Sequence, residues 1–415
     1  MTTVTTADTP RPHVVIVTRW QERYAEYGHY LDHGDHTVTY VATEVALPAI
    51  PSAAADVVTV ARTDDLDEVR AAVHLLAARH GRPDRIVALK EDDLLIGAAL
   101  RVEWDCPGDR PEDLLRFRDK HLMVEAVAAA GVPAPASAAV TGAADVAAFA
   151  AAHGWPVVLK PRVGSSSAGV LLVREPDELD GYDWAEPMLV QEFLPDAIYH
   201  VDGIFDGAEL MCWRASRYVN TCLGFREGTF LGSVEEDDPA VLAPVGEHAR
   251  AALAALTDRP TPFHLEVFFD ARSGTCRFLE VGARVGGAEI PFIWRELHGY
   301  DLMEAAFRLQ LGLPVHPVGP APAEQVGGWL LVPAPEARPC RVTEVTPMTG
   351  REPGPYAEVL LKPGEVLPAA DAYYEHVGGR FRFRAADSAT VEHALTTTAT
   401  AFRVSAEPLA LTPVH

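Results

Sequence analysis

"FHLEVFFDARSGTCRFLEVGAR", residues 263–284, sets two apolar, aromatic-rich runs around the polar loop "ARSGT". Such runs joined by a short glycine-bearing loop read as an antiparallel hairpin. With Gly274 taking the loop's unusual backbone angles, Asp270 is expected to pair with Cys276, and the ladder then sets Glu266 opposite Glu280. Side chains alternate along a strand, so both carboxylates fall on one face, about 4.5–5.5 Å apart at Cβ. Bare like charges so placed destabilise a sheet, and a divalent cation reverses that sign. Mg2+ suits the pair best, since it takes hard oxygen ligands and is usually held by one or two carboxylates together with substrate phosphates. The bland alternative is two acids on a solvated face. Against it stands the sequel, because Arg284, Gly286 and Gly287 follow at once and suit a crowded anionic site.

A second stretch, "LKPRVGSSSAGVLLV" (159–173), ends an apolar run on Lys160 and opens a small-residue loop of Gly164, Ser165, Ser166, Ser167, Ala168 and Gly169. It is not a Walker A motif, because the lysine precedes the glycines and no GK[ST] follows. Successive backbone N–H groups of residues 164–168 can still fold over phosphates as an anion nest. Lys160 would then reach the phosphates as a point charge. The plain alternative is a flexible hairpin turn.

Composition narrows the partners. The 415 residues carry a formal charge of −24, which argues against nucleic acid and anionic membranes, whose affinity comes from Lys and Arg on phosphates. Lysine is scarce: only Lys90, Lys120, Lys160 and Lys362 occur, so each is worth inspecting. Cys106, Cys212, Cys222, Cys276 and Cys340 are scattered without CxxC spacing, which suggests neither a zinc site nor a disulfide framework and makes a reducing cytoplasm the expected location. The N-terminus "MTTVTTADTPRP" shows no signal-peptide pattern, and the uncharged stretch 126–144 is broken by Gly131, Pro133 and Pro135, so no membrane span is expected.

The pattern along the chain predicts α/β and α+β units. "HVVIVTRW" (13–20), "HTVTYVAT" (36–43) and "DRIVALKEDDL" (84–94) read as strands, with an amphipathic helix over 67–81, which together suggest a parallel α/β domain. Ligands of such sheets sit at strand carboxyl ends, where Lys90 to Asp93 fall. Glu91 is there a candidate to hold a substrate ammonium group, or else a helix N-terminal acid favoured by the dipole. A helix over 116–131, strands flanking the 164–169 loop, antiparallel strands to 284 and a helix over 301–312 follow. The proline-rich stretch 313–325 reads as a linker, and a mixed region of about 90 residues closes the chain. The boundaries drawn are 1–115, 116–186, 187–315 and 316–415. His200 and His264 read as packed or hydrogen-bonded strand residues, and Trp20, Tyr24 and Tyr27 as core or interface packing.

Taken in order, "RDKHLM", "VVLKPRVGSSSAGV", "LVQEFL", "HLEVF" and "FLEVGARVGG" resemble the ATP-grasp superfamily over residues 85–312. The "EVGARVGG" and "RDKHLM…AGVPAP" stretches are most similar to its dipeptide-forming members, the L-amino acid ligases and carnosine synthase. The resemblance implies an N-terminal pre-ATP-grasp domain, two lobes clamping ATP, and a C-terminal α+β domain. It implies that Lys120 and Lys160 contact phosphates, that Val190 to Leu194, with Gln191, Glu192, Phe193 and Leu194, line the adenine pocket, and that Glu266 and Glu280 hold one or two Mg2+ ions, Mn2+ being an alternative. Arg284 would lie beside the reacting carboxylate or acyl phosphate, with Gly286 and Gly287 near the substrate. The implied activity is ATP-dependent joining of a small carboxylic acid to an amine, and homodimers are common among such proteins. Two positions depart from the pattern. Gly282 stands where many relatives carry a metal-binding Asn, and Ile198 where a ribose-binding Glu is common, leaving Glu192 or Asp202 as ribose candidates. Biotin-carboxylase-like chemistry through carboxyphosphate is the alternative reaction, although no biotin-accepting "MKM" occurs, and a non-catalytic nucleotide-binding partner is the alternative class.

Overall fold

The computed structural model describes residues 11–21, 23–316, 325–369 and 377–409. Most of the stretch read as a linker, 317–324, lies outside them. Two compact units emerge: residues up to Leu115 with Met303–His316, and Arg116–Leu302 with the described residues beyond 324.

The first unit is a parallel sheet of order β3-β2-β1-β4, formed by β1 (His13–Thr18), β2 (Thr37–Ala42), β3 (Asp56–Thr59) and β4 (Arg85–Ala88). β1, "HVVIVT", is buried at every residue, as expected of a parallel strand covered on both faces. A short helix α1 (Tyr27–Tyr30) buries both its tyrosines. α2 (Leu66–His80) starts where the Asp65 side chain accepts from the N–H groups of Asp67 and Glu68 and stops at Gly81, whose φ of 93° most residues avoid. It turns Val69, Val73 and Leu76 into the core beside Val15, Val17 and Ile86. α3 (Leu94–Glu103) and α4 (Pro111–Leu115) complete this stretch.

The second unit opens with α5 (Lys120–Ala129). The sequence predicts this helix from residue 116, but it begins at Lys120 because Asp119 caps it by accepting from His121 and Leu122. A four-stranded antiparallel sheet of order β5-β8-β6-β7 follows, from β5 (Ser137–Val140), α6 (Ala143–His153), β6 (Val157–Pro161), β7 (Leu171–Val173) and β8 (Met188–Glu192). The chain then runs through β9 (Ala197–Phe205), β10 (Leu210–Val219), α7 (Cys222–Arg226), β11 (Leu231–Glu235), α8 (Pro239–Leu256), β12 (Thr261–Asp270), β13 (Thr275–Gly282) and α9 (Ile290–Leu297).

The next helix, α10 (Leu302–Leu311), groups by its contacts with the first unit, not with the strands before it. Its Gln310 explains why: the carboxamide accepts from the Ala88 N–H and donates to the Ala88 carbonyl, both at 2.8 Å, and so satisfies the open edge of β4.

After it come β14 (Val326–Pro333), β15 (Cys340–Val345), β16 (Ala357–Leu360), β17 (Val366–Leu367), β18 (Val377–Ala385), α11 (Ser388–Ala401) and β19 (Val404–Pro408). The boundary drawn at 316 cuts through a sheet. A single eight-stranded sheet runs β13-β12-β9-β10-β11-β14-β18-β16, so the last quarter of the chain extends the sheet that carries the acidic hairpin. Of the strands after residue 325, β15, β17 and β19 form a small sheet of their own, β17-β15-β19.

Candidate functional site

The hairpin β12–β13 places Glu266 opposite Glu280, but by a different register from the one the loop suggests. Asp270 pairs with Thr275, not Cys276, and Val267 with Phe278; a bulge then leaves Leu279 unpaired and brings Glu280 to Glu266. One extra residue in the strand offsets the one-residue error at the turn. Gly274 does take the left-handed conformation, φ 67°.

The two acids face two lysines. Lys160 ends β6 almost wholly buried, and Lys120, the first residue of α5, lies 3.6 Å from the Glu280 carboxylate and donates to the Gly164 carbonyl. Burial lowers the Lys160 pKa to about 8, the neighbouring Glu280 and Glu266 opposing it. For Glu266, burial alone would raise the pKa, yet His264 and the Tyr218 hydroxyl, which donates at 2.8 Å, hold it below its ordinary value. Acid and base thus stabilise one another in a setting where either set alone would be costly.

All four side chains line a cleft of about 500 Å3, within the range of small-molecule sites. Away from the charges its wall is apolar: Val158, Val170, Leu172, Leu194, Ile198, Phe268 and Leu279. Gln191, Glu192 and Phe193 join this wall, whereas Val190 packs instead into the core of the smaller sheet. Glu192 is already engaged, accepting from the Ala136 N–H and lying 3.7 Å from Arg277. Tyr218, Asn220, Thr221, Cys222 and Leu223 also line the cleft, and the sequence reading did not single them out. They arrive at the end of β10, on the turn after it and at the start of α7, and no local motif marks them.

The 164–169 loop contributes Gly164, Ser165, Ser167 and Ala168 to the lining, but not Ser166 or Gly169. Ser166 and Ser167 both take left-handed backbone angles, φ 58° and 54°, which bend the chain back sharply. The nest is smaller than the sequence suggests: the Ala168 N–H is consumed by the Ser165 carbonyl at 3.1 Å. From across the cleft Arg226 donates to the Ser166 carbonyl at 2.8 Å.

Arg284, Gly286 and Gly287 follow β13 and do not line the cleft. Arg284 is half-buried, and its charge is felt by His264 and Cys222. Asp202 is not a ribose group. It is fully buried, its two oxygens bound by His200 at 2.6 Å and His264 at 2.8 Å. Burial would raise its pKa, but the two imidazoles hold it well below the usual carboxylate range. His264 in turn, against the cost of burial, is raised to about 9 by Asp202. Glu91 belongs to the first unit, opening a helical turn after β4, and is no part of this cleft.

No family model matches the sequence. The chain is 24% identical over 253 residues to the L-arginine-specific L-amino acid ligase of Bacillus subtilis, a match covering 57% of this chain and 60% of that protein. It is 27% identical over 253 residues to carnosine synthase 1 of Gallus gallus, covering 55% and 25%. The chain therefore matches less than two thirds of the length of either. Among solved structures, an L-amino acid ligase from Bacillus licheniformis superposes with a TM-score of 0.75 at 17% identity, over 96% of this chain and 99% of that one. The fold is that of the ATP-grasp ligases. The cleft lies wholly within the second unit. Among the described residues no helix is long and apolar enough to cross a membrane.

Proposed function

We propose that the protein is an ATP-dependent carboxylate–amine ligase that activates a small carboxylic acid, an amino acid by the likeness to the ligases above, and joins it to an amine. The observation that carries this reading is the meeting of Glu266 and Glu280 with Lys160 and Lys120 at the charged end of a cleft whose other wall is apolar. An apolar slot suits a purine, and lysines beside paired carboxylates suit a triphosphate with its cation.

The donor set fits Mg2+: two hard carboxylates face each other across one rung, at the charged end of the cleft. When bound, the ion would neutralise charge on the phosphate oxygens. The chain's own residues do the rest. Lys160 and Lys120 bind the phosphates as point charges, and the 164–168 loop covers them.

A carboxylate resists attack by an amine because its charge repels the nucleophile and oxide is a poor leaving group. Transfer of the γ-phosphoryl group to a carboxylate oxygen gives an acyl phosphate and ADP. The amine nitrogen then bonds to the acyl carbon, the C–O bond to phosphate breaks, and a proton is lost from nitrogen. Arg284 is the candidate to stabilise the oxyanion of that tetrahedral intermediate.

The decisive assay is ADP release with ATP and Mg2+ against pairs of amino acids, with mass spectrometry of the products. A product mass equal to two substrates less water establishes ligation. ADP release dependent on bicarbonate alone overturns the reading in favour of carboxylation. Arg284→Ala should cut amide formation far more than ATP affinity; equal losses would remove the oxyanion role.

A further inference from the structure

A row of polar side chains crosses the inner face of the large sheet, one strand to the next. Glu266 on β12 pairs in register with His200 on β9, and His264 with Asp202. His200 in turn faces Ser216 on β10, and its Nε2 reaches the Ser233 hydroxyl on β11 at 2.6 Å. Residues two apart on a strand share a face, so these positions form one continuous track.

Along that track the contacts are consecutive. Ser233 holds His200; His200 holds one oxygen of Asp202; the other oxygen holds His264 Nδ1; and His264 Nε2 lies 3.6 Å from Glu266 Oε1. His200 and Asp202 are each almost completely buried. The imidazole of His200 is also packed at ring-centroid distances of 4.8 Å from Tyr218 and 6.3 Å from Trp329, and Tyr218 itself donates to Glu266. Glu266 is therefore approached from two sides by groups that the same histidine locates.

The turn bearing Arg284 leans on this assembly. A Cβ on Gly286 would lie 2.2 Å from Asp202 Oδ1 and 3.0 Å from His264 Nδ1, so only a bare backbone can approach so closely.

We infer that Asp202, clamped between His200 and His264, is a positioning residue that fixes the carboxylate of Glu266 for the metal and seats the turn carrying Arg284. The inference rests on the reading of Glu266 as a metal acid. Burying an aspartate with two histidines is costly unless each polar atom is satisfied, and here the set is satisfied in the one geometry that aims His264 at Glu266. Outer partners that orient a metal-binding residue typically change metal affinity by about 10–100-fold when lost.

The test measures Mn2+ binding by electron paramagnetic resonance on the full chain with a non-hydrolysable ATP analogue, beside metal-free binding of the same nucleotide. Asp202→Asn, which keeps shape and removes the anion, is expected to weaken Mn2+ binding by about 10–100-fold and to change metal-free nucleotide affinity little. Ser233→Ala, at the far end of the track, should give a smaller loss of the same kind and serves if Asp202→Asn does not fold.

Unchanged Mn2+ affinity in a folded Asp202→Asn protein overturns the inference and leaves the ligase reading standing. A parent protein that binds the nucleotide but no Mn2+ overturns both. The donor atoms of His200, Asp202 and His264 lie within 4.8 Å of one another, so metal analysis of the purified protein forms a third arm. A stoichiometric metal present without nucleotide and lost in Asp202→Asn would make the trio a metal site itself and overturn the positioning role.

Discussion

Glu266 and Glu280 face each other with like charge on one rung of a hairpin, a cost that the neighbouring Lys120 and Lys160 offset. Glu280→Gln, which removes the main charge opposing the desolvation of Lys160, should lower the melting temperature of the metal-free protein, while Mg2+-dependent ADP formation falls roughly 100-fold or more; ADP formation at the parental level in the folded variant would show that Glu280 does not serve a metal. Asp93, wholly buried in the first unit, offers a pH test. Burial raises its pKa to about 6, with Arg19 and Thr63 opposing the shift. The folded state thus keeps the Asp93 proton at a pH where the unfolded chain has lost it. Its contribution to stability is fullest near pH 4 and is lost as pH rises through 6. Asp93→Asn does not titrate, so its stability relative to the parent should rise between pH 4.5 and 7.5, by up to about 3 kcal/mol, as read from denaturant midpoints. Equal differences at both pH values would contradict this. That both acids belong to one hairpin is legible in the sequence, but their pairing follows from the loop only because a bulge offsets a one-residue error of register. The bulge at Leu279 is not legible, since it depends on how β13 seats against the rest of the sheet.

Among the elements, the 164–169 loop and α7 hold one another through Arg226 and the Ser166 carbonyl, in a loop already bent by two left-handed serines. One hydrogen bond of this kind is worth about 1 kcal/mol. Arg226→Ala should speed amide hydrogen exchange across residues 164–169 and raise the KM for ATP up to about fivefold, with little change in kcat once ATP saturates. Exchange that stays at the parental rate would show that the loop is held by its own backbone turns. A small-residue loop after a lysine is legible in the sequence; nothing there names its latch, because Arg226 lies 60 residues further on. Helix α5 carries a similar lesson. Its apolar pattern is visible from residue 116, but the cap at Asp119 fixes the start and thereby places Lys120 at the cleft.

Over the whole molecule, the eight-stranded sheet joins the acidic hairpin at one edge to β14, β18 and β16 at the other. A chain ended after residue 316 would strip β11 of its β14 partner and remove Trp329, Leu330, Leu331, Phe381 and Phe383, all buried. Such a truncation should be insoluble or show no cooperative unfolding by circular dichroism; a soluble protein with a sharp transition would mean that the residues up to 316 fold alone. The sequence by itself determined the chemistry on offer: two acids on one hairpin, two lysines, a small-residue loop and the order in which the motifs occur. These are legible because each depends on neighbours within a few residues or on composition. Only the tertiary structure decided which strands lie side by side, and hence that Asp202 faces two histidines, that Tyr218 reaches Glu266, and that the strands after residue 325 extend the sheet carrying the acidic hairpin. Strand order in a sheet is set by burying whole faces together, a sum over residues far apart in the chain that no local stretch encodes.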